Sequence, residues 1–501
     1  MSKLKINIFA SYISQIYIIV ISLLILPLYM KYMGAEAYGL VGFFTMLQGL
    51  FMLLDFGLTP TISRQTAQFN AGVETALVFR QLFRALSIIF VAISLIGTTL
   101  ILSLDNYIAL NWLKLQSLNS TDVLFALQVM AICVALRWMT GLYRGVISGF
   151  EKIMWLSGIN TLVATLRFPG VLIYMYCFGF NVNNFFIFQL IIAIFEFFIF
   201  LIKTYTLLPK INSSDVLSWS LVPVKPLIGF ALTIAFTSSV WVLLTQLDKF
   251  VLSGILTLSD YGYFSLAVLV AGGVLQISTP ISSVIMPRMA HLQGEQKFAE
   301  MREVYLNSTQ LIAVIVVSAG IVLSALAEPI LYVWTGDTLL AAKTAPILKL
   351  YALGNAFLAL GAFPYYLQYA KGDLKYHFLG NIISVVLLIP VIIWFAQIYG
   401  AIGAGWVWLI FQIVYLLSWV SFVHMKIETG INTKWFKSFL PTIFVVSIFA
   451  FSISYFFNFS QFRFVAFIQI AFFSLLSLFI ALLCSNSVRK VIMHKLLKSA
   501  S

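Results

Sequence analysis

The residues of this sequence best placed to do chemistry are charged side chains inside long apolar segments. Arg167 and Glu196 lie deepest, about 13 and about 11 residues into consecutive segments. At about 1.5 Å per helical residue, Arg167 would lie about 20 Å along its helix. The two segments run in opposite directions, so we expect both side chains at similar depth. Ionised groups are costly inside a membrane, which makes each a functional candidate.

Two interpretations of Arg167 and Glu196 stay open from the sequence. The guanidinium of Arg167 has a fork of donors that suits a phosphate-type anion. Alternatively, the two residues form a structural ion pair that fixes the helical hairpin. Both interpretations hold if the pair faces a cavity.

Four more charged residues are candidates for the same interior. Asp248 and Lys249 are adjacent on one apolar segment, and neighbouring helical residues point about 100° apart. The two residues are therefore not expected to form a simple ion pair. Asp55, in the second segment, is expected near Arg137 at the inner end of the fourth.

Arg64 and Arg288 end two segments on the side predicted below to be cytoplasmic. One interpretation gives them a role in topology and in contact with lipid headgroups. The other makes them a basic portal for an anionic lipid.

The composition indicates a membrane protein. Apolar residues make up 61% of the chain and charged residues only 9%, against roughly 25% charged in soluble proteins. The net charge of +13 is scattered through short loops, which argues against a nucleic-acid partner. The three cysteines lie within apolar segments and the four histidines lie far apart. We therefore predict no disulfide, metal or cofactor.

The hydropathy pattern predicts about 14 transmembrane helices, since about 20 apolar residues span the hydrocarbon core. The predicted spans are 10–30, 39–60, 85–104, 122–142, 154–179, 185–207, 227–252, 261–286, 306–332, 346–370, 377–399, 401–423, 437–457 and 464–484.

Lysine and arginine predict the orientation, because positively charged loops stay in the cytoplasm. With the N-terminus inside, all but seven of the 30 Lys and Arg residues fall on inner segments. The exceptions are Lys31, Lys114, Arg167, Lys249, Lys343, Lys349 and Arg463. We therefore predict a multi-pass protein of a bacterial inner membrane with both termini cytoplasmic.

A repeat runs through the chain. Residues 35–40 open one span and Arg64 closes it, while residues 258–263 and Arg288 frame another. Tyr38 precedes Arg64 by 26 residues, and Tyr261 precedes Arg288 by 27. The copies lie six spans apart, so both halves share one topology. Such parallel repeats are typical of alternating-access transporters.

At these residues the sequence resembles the polysaccharide transporters, the Wzx-type flippases of the multidrug/oligosaccharidyl-lipid/polysaccharide superfamily. The resemblance rests on two patches. The first comprises Met33–Leu40, Asp55–Leu58 and Arg64; the second comprises Leu247–Phe250, Tyr261–Ala267 and Met286–Met289. Together they cover the first two spans of each half. Asp248 lies in the second patch, and this resemblance favours a role either as a helix-packing anchor or as a cation or proton site.

The resemblance implies an all-α fold of two six-helix lobes in a V around a central cavity, plus two C-terminal helices. We expect lobes at 1–208 and 227–423, a cytoplasmic linker at 209–226, and the extra helices with a basic tail at 424–501. It also implies the substrate, an oligosaccharide on undecaprenyl pyrophosphate that crosses from the cytoplasmic to the periplasmic leaflet. Implied partners are membrane lipids, a polysaccharide polymerase, a chain-length regulator, and coupling protons or sodium ions.

Competing functions remain. No nucleotide-binding loop or zinc-protease motif is present in the sequence, which argues against an ATP-driven pump. A membrane polysaccharide polymerase or ligase would carry basic residues and histidines on a large outer loop. The longest predicted outer loop, 106–121, has Lys114 as its one basic residue and contains no histidine. Within the superfamily, a lipid II flippase and a cation-coupled drug exporter are the alternatives. We expect a transporter rather than an enzyme.

Overall fold

The computed structural model describes residues 3–210 and 222–485. Within these ranges the chain is helical, and its one β-type contact is an isolated bridge between Lys114 and Thr257. Helices satisfy their own backbone hydrogen bonds, as a bilayer requires. The predicted all-α polytopic membrane fold is confirmed. Most of the predicted linker and the basic tail, at 211–221 and 486–501, lie outside the described residues.

The chain divides into two compact units, residues 1–262 and 263–501. The lobe boundaries at 208 and 227 stay a prediction. The helices that lie in the first unit are α1 Lys3–Phe51, α2 Leu58–Asn70, α3 Ala76–Tyr107, α4 Ser120–Gly149, α5 Ile153–Thr165, α6 Val171–Phe178, α7 Val182–Leu207 and α8 Ile228–Ile255.

The helix α9, Leu258–Gly294, begins in the first unit and continues into the second. The remaining helices are α10 Phe298–Ile312, α11 Ser318–Ala325, α12 Ala327–Thr335, α13 Thr338–Gly361, α14 Phe363–Lys371, α15 Lys375–Val414, α16 Val420–Ile427, α17 Ile431–Phe456 and α18 Arg463–Cys484.

The predicted spans correspond to these helices. Among the described residues, 11 continuous helical segments are long and apolar enough to cross a membrane. Two of them are bent, at Gly34 in α1 (φ +86°) and at Gly400 in α15 (φ +59°), and each holds two predicted spans. Only glycine adopts such φ angles at little cost. The 11 segments therefore account for thirteen predicted spans, and α8 corresponds to the remaining one, at 227–252.

The second span is interrupted, which the sequence did not indicate. A 3₁₀ turn at Met52–Asp55 ends α1, and Phe56 (φ +45°) and Gly57 (φ +71°) are left-handed before α2 begins. Asp55 lies at this break and accepts hydrogen bonds from the backbone and hydroxyl of Thr59. The carboxylate thereby caps the first turn of α2.

A buried carboxylate holds three parts of the second unit together. Glu428 follows α16 and forms ion pairs with Arg302 of α10 and Lys371 of α14. Lys371 Nζ also donates to the carbonyl of Ile427, at 2.8 Å. Burial raises the pKa of Glu428, but the hydrogen bond and charge of Lys371, with Arg302, outweigh it, so the pKa lies below its ordinary value.

Candidate functional site

Arg167 lies in a π-helical turn inside the continuous helical segment Ile153–Phe178. The segment Leu166–Gly170 forms one π-helical turn between α5 and α6, and it contains Pro169, which has no N–H to donate. The Tyr29 hydroxyl donates to the carbonyls of Arg167 and Phe168, at 3.1 and 3.0 Å. Such π-turns frequently lie at functional sites. The Tyr29 hydroxyl thus anchors the backbone of the turn that carries Arg167.

Glu196 of α7 is the acidic centre of the site. It is 2% exposed and accepts from a different arginine on each carboxylate oxygen. Arg144 Nη2 lies 2.8 Å from Oε1, and Arg167 Nη2 pairs with Oε2. The structure therefore brings together Arg167 and Glu196, which the sequence placed at similar depth.

Arg144 is the residue that the sequence reasoning missed, because it was counted only among the inner positive charges. Its Nη1 donates to Asn160 Oδ1 at 2.6 Å, and its guanidinium lies 4.4 Å from the centre of the Phe200 ring. The spacing of the arginines in the sequence could have indicated this role. Arg137 and Arg144 are seven residues apart, which places both on one face of α4.

Arg137 is held by neutral groups. Its Nη1 donates to Gln48 Oε1 at 3.0 Å and its Nη2 to Gln189 Oε1 at 2.6 Å, and it lies 5.0 Å from the centre of the Phe44 ring. Among the described residues it forms no ion pair. The expected contact with Asp55 is wrong, because the helix break turns that carboxylate toward Thr59.

We call Arg137, Arg144, Arg167 and Glu196 the arginine cluster. Its three positive charges face one negative charge, which leaves a formal excess of +2. The Nε atoms of Arg137 and Arg167 are buried and have no hydrogen-bond partner among the described residues. Unpartnered buried donors are costly. The cluster therefore has both the charge and the free donors to bind an anion.

Asp248 and Lys249 are neighbours on α8. Lys249 Nζ donates to the carbonyl of Thr245 at 2.9 Å and to Gln246 Oε1 at 3.1 Å. Asp248 is 5% exposed and accepts from the backbone N–H of Lys249. Their proposed roles stay predictions.

Arg64 and Arg288 are both exposed, on α2 and α9. Exposure is compatible with either interpretation, headgroup contact or a portal, so the portal also stays a prediction.

A family model described as "Polysaccharide biosynthesis protein" matches residues 4–293, more than half of the chain and all of the arginine cluster. The chain belongs to this family. A Shigella flexneri protein named "Putative O-antigen transporter" is 23% identical over 401 residues, covering 77% of this chain and 90% of that protein. The family expected from the two sequence patches is thus confirmed.

Solved structures of transporters share the fold. The lipid II flippase MurJ, in an inward closed conformation, matches with a TM-score of 0.68 at 14% identity, covering 98% of this chain and 99% of that one. An inward-facing multidrug transporter of the MATE family matches with a TM-score of 0.62 at 14% identity, covering 83% and 96%. At such identities the likeness concerns the fold alone.

Proposed function

We propose that this protein is a flippase that moves oligosaccharide repeat units, linked to undecaprenyl pyrophosphate, from the cytoplasmic to the periplasmic leaflet of a bacterial inner membrane. The product would be an O-antigen, a capsule or a similar surface polysaccharide. The observation that carries the proposal is the arginine cluster, with its excess of two positive charges inside apolar helical segments.

The charge of the lipid headgroup fits the cluster. A pyrophosphate diester carries two negative charges and several acceptor oxygens, and arginine binds such groups through paired N–H donors. A cationic drug would be repelled by the same excess charge. The cluster therefore favours an anionic lipid over the drug exporter, although MATE transporters share the fold.

Alternating access is the proposed mechanism. The parallel repeat in the sequence supports it, because transporters with such repeats expose one site to the two sides in turn. The orientation with both termini in the cytoplasm rests on the distribution of lysine and arginine. Coupling to protons or sodium ions, and contact with a polymerase and a chain-length regulator, stay predictions from the family.

The enzyme alternative, a polymerase or ligase, has less support. The Shigella flexneri relative is named a putative O-antigen transporter, and this name supports transport rather than catalysis. The arginine cluster also consists of three arginines around one buried carboxylate, an arrangement that suits the binding of an anion. We therefore propose a transporter without catalytic residues.

The test is a gene deletion with complementation from a plasmid. Deletion should abolish the surface polysaccharide and leave lipid-linked repeat units in the cytoplasmic leaflet. Spheroplasts treated with a membrane-impermeant glycosidase report which leaflet holds the units. Units that reach the periplasmic face at the normal rate without the gene would refute the flippase function. Rescue of a strain depleted of its lipid II flippase would favour lipid II as the substrate.

A further inference from the structure

The helices α4 and α7 meet at two equivalent positions with different charge. Arg137 donates through Nη2 to Gln189, at 2.6 Å, and Arg144 donates through Nη2 to Glu196, at 2.8 Å. Each pair is separated by 52 residues in the chain. The second pair lies seven residues, or about two helical turns, beyond the first. The acceptors have nearly the same shape, so the two positions differ mainly in charge.

The charge of the acceptor on α7 determines which arginine has its positive charge compensated. Arg144 and Arg167 share the carboxylate of Glu196. Arg137 is oriented by two carboxamide oxygens, from Gln48 on α1 and Gln189 on α7. An amide oxygen orients a guanidinium without neutralising it. Arg137 is therefore held in place while its full charge remains available to a ligand.

Gln189 meets a second requirement that a carboxylate could not meet. Its Nε2 donates to the backbone carbonyl of Arg167 at 3.2 Å, while its Oε1 accepts from Arg137. The two contacts fix which end of the amide faces which arginine. An ionised glutamate has no donor, so it would leave the carbonyl of Arg167 without this hydrogen bond. Arg137 needs an acceptor and the carbonyl of Arg167 needs a donor, and a carboxamide supplies both.

We propose that Gln189 is the positioning residue that sets the headgroup selectivity of the site. It orients Arg137 and the turn that carries Arg167, and it keeps the excess charge of the cluster at +2, which matches a lipid pyrophosphate. This inference rests on the proposed function, because that function supplies the anionic lipid. Beyond that function, it identifies Gln189 as the residue that determines how strongly the site distinguishes a charged headgroup from a neutral one.

The experiment compares two lipids on the purified full-length protein. Undecaprenyl pyrophosphate and neutral undecaprenol have the same chain, so the ratio of their affinities isolates the headgroup. Gln189→Glu should lower that ratio about tenfold or more, because it neutralises Arg137. Gln48→Glu neutralises Arg137 from another helix without touching the carbonyl of Arg167. It should lower the ratio similarly and keeps the test valid if Gln189→Glu does not fold.

The control is Gln189→Met, which removes both hydrogen bonds without adding charge. It should lower the ratio by less than Gln189→Glu does. An unchanged ratio in the folded glutamate variants would overturn the inference. An equal loss in Gln189→Met would overturn it too, because the headgroup selectivity would then not depend on the neutral charge of residue 189. If the unsubstituted protein itself prefers neither lipid, the proposed function loses its support. The two failures are therefore distinguishable.

Discussion

Gly39 and Gly262 each lie against the backbone carbonyl of the residue four positions before the other. A Cβ atom on Gly39 would lie 2.1 Å from the Leu258 oxygen, and one on Gly262 would lie 2.3 Å from the Ala35 oxygen. The four residues occupy matching positions in the two copies of the sequence repeat. The contact is thus reciprocal, and glycine is the residue that lets the two backbones approach this closely.

We expect Gly39→Ala and Gly262→Ala to destabilise the protein, since the backbone carbonyl cannot move aside for the new methyl group. Overpacking of this kind costs typically about 1–3 kcal/mol. The matched controls are Gly158→Ala and Gly273→Ala, where a Cβ meets nothing within 4 Å. The measurement is thermal unfolding in detergent, followed by size-exclusion chromatography. Equal stability of Gly39→Ala and Gly158→Ala would contradict the close approach.

The sequence predicted the repeat but not the contact between its copies. Tyr38 and Tyr261 gave the alignment through their spacing to an arginine. Spacing along a chain does not say which segments cross, because that depends on the packing of distant helices. The role of Glu36 was hidden for the same reason. It accepts hydrogen bonds from the backbone N–H groups of Gln116 and Ser117, about 80 residues away.

The candidate site was partly predictable. Arg167 and Glu196 stood out because charges are rare in apolar segments, and the structure pairs them. Arg144 was assigned to an inner loop, because the fourth span was expected to end at 142, whereas α4 continues to Gly149. The pairing of Asp55 with Arg137 failed because no periodicity indicates the break after Asp55.

The predicted topology can be tested with reporter fusions at loop positions. Fusions after residues 72, 152, 215, 295, 373, 430 and 498 should report the cytoplasm. Fusions after residues 115, 182, 337 and 460 should report the periplasm. The physical reason is the excess of lysine and arginine on the inner segments. Two or more stably expressed fusions on the wrong side would refute the fourteen-span orientation.

Glu428 should make the second unit sensitive to acid. Its pKa is lowered in the folded protein, so its ion pairs stabilise the fold above its ordinary pKa. That contribution is lost as the pH falls through the lowered value. Glu428→Gln should therefore destabilise the protein at pH 7, by about 1–3 kcal/mol, and by less at pH 4, which lies below the ordinary pKa of a glutamate.

The measurement is thermal unfolding of both proteins at the two pH values. Asp373→Asn is a suitable control, because Asp373 is exposed and forms no ion pair among the described residues. A difference between Glu428→Gln and the unsubstituted protein that persists unchanged at pH 4 would show that the carboxylate charge is not responsible.

The last prediction distinguishes two roles of Arg167, binding the substrate anion and forming a structural ion pair with Glu196. If Arg167 binds the substrate anion, Arg167→Ala should stop translocation while the protein still inserts at normal abundance. Arg167→Lys should keep part of the activity, because the charge remains but the paired donors are lost. Adding Glu196→Ala to Arg167→Ala should restore nothing. The measurement is surface polysaccharide, normalised to the amount of protein in the membrane.

A purely structural pair predicts the opposite pattern. Removing one member of a buried ion pair leaves the other charge uncompensated, whereas removing both can be nearly neutral. The double variant would then be more active than Glu196→Ala alone, because one arginine instead of two would be left without an acid. The contact of Arg144 with the same carboxylate sharpens the test, since Glu196→Ala leaves two arginines without an acid. Glu196→Ala should therefore lower protein abundance more than Arg167→Ala does. Full activity in the double variant would show that Arg167 is structural and that the anion binds elsewhere.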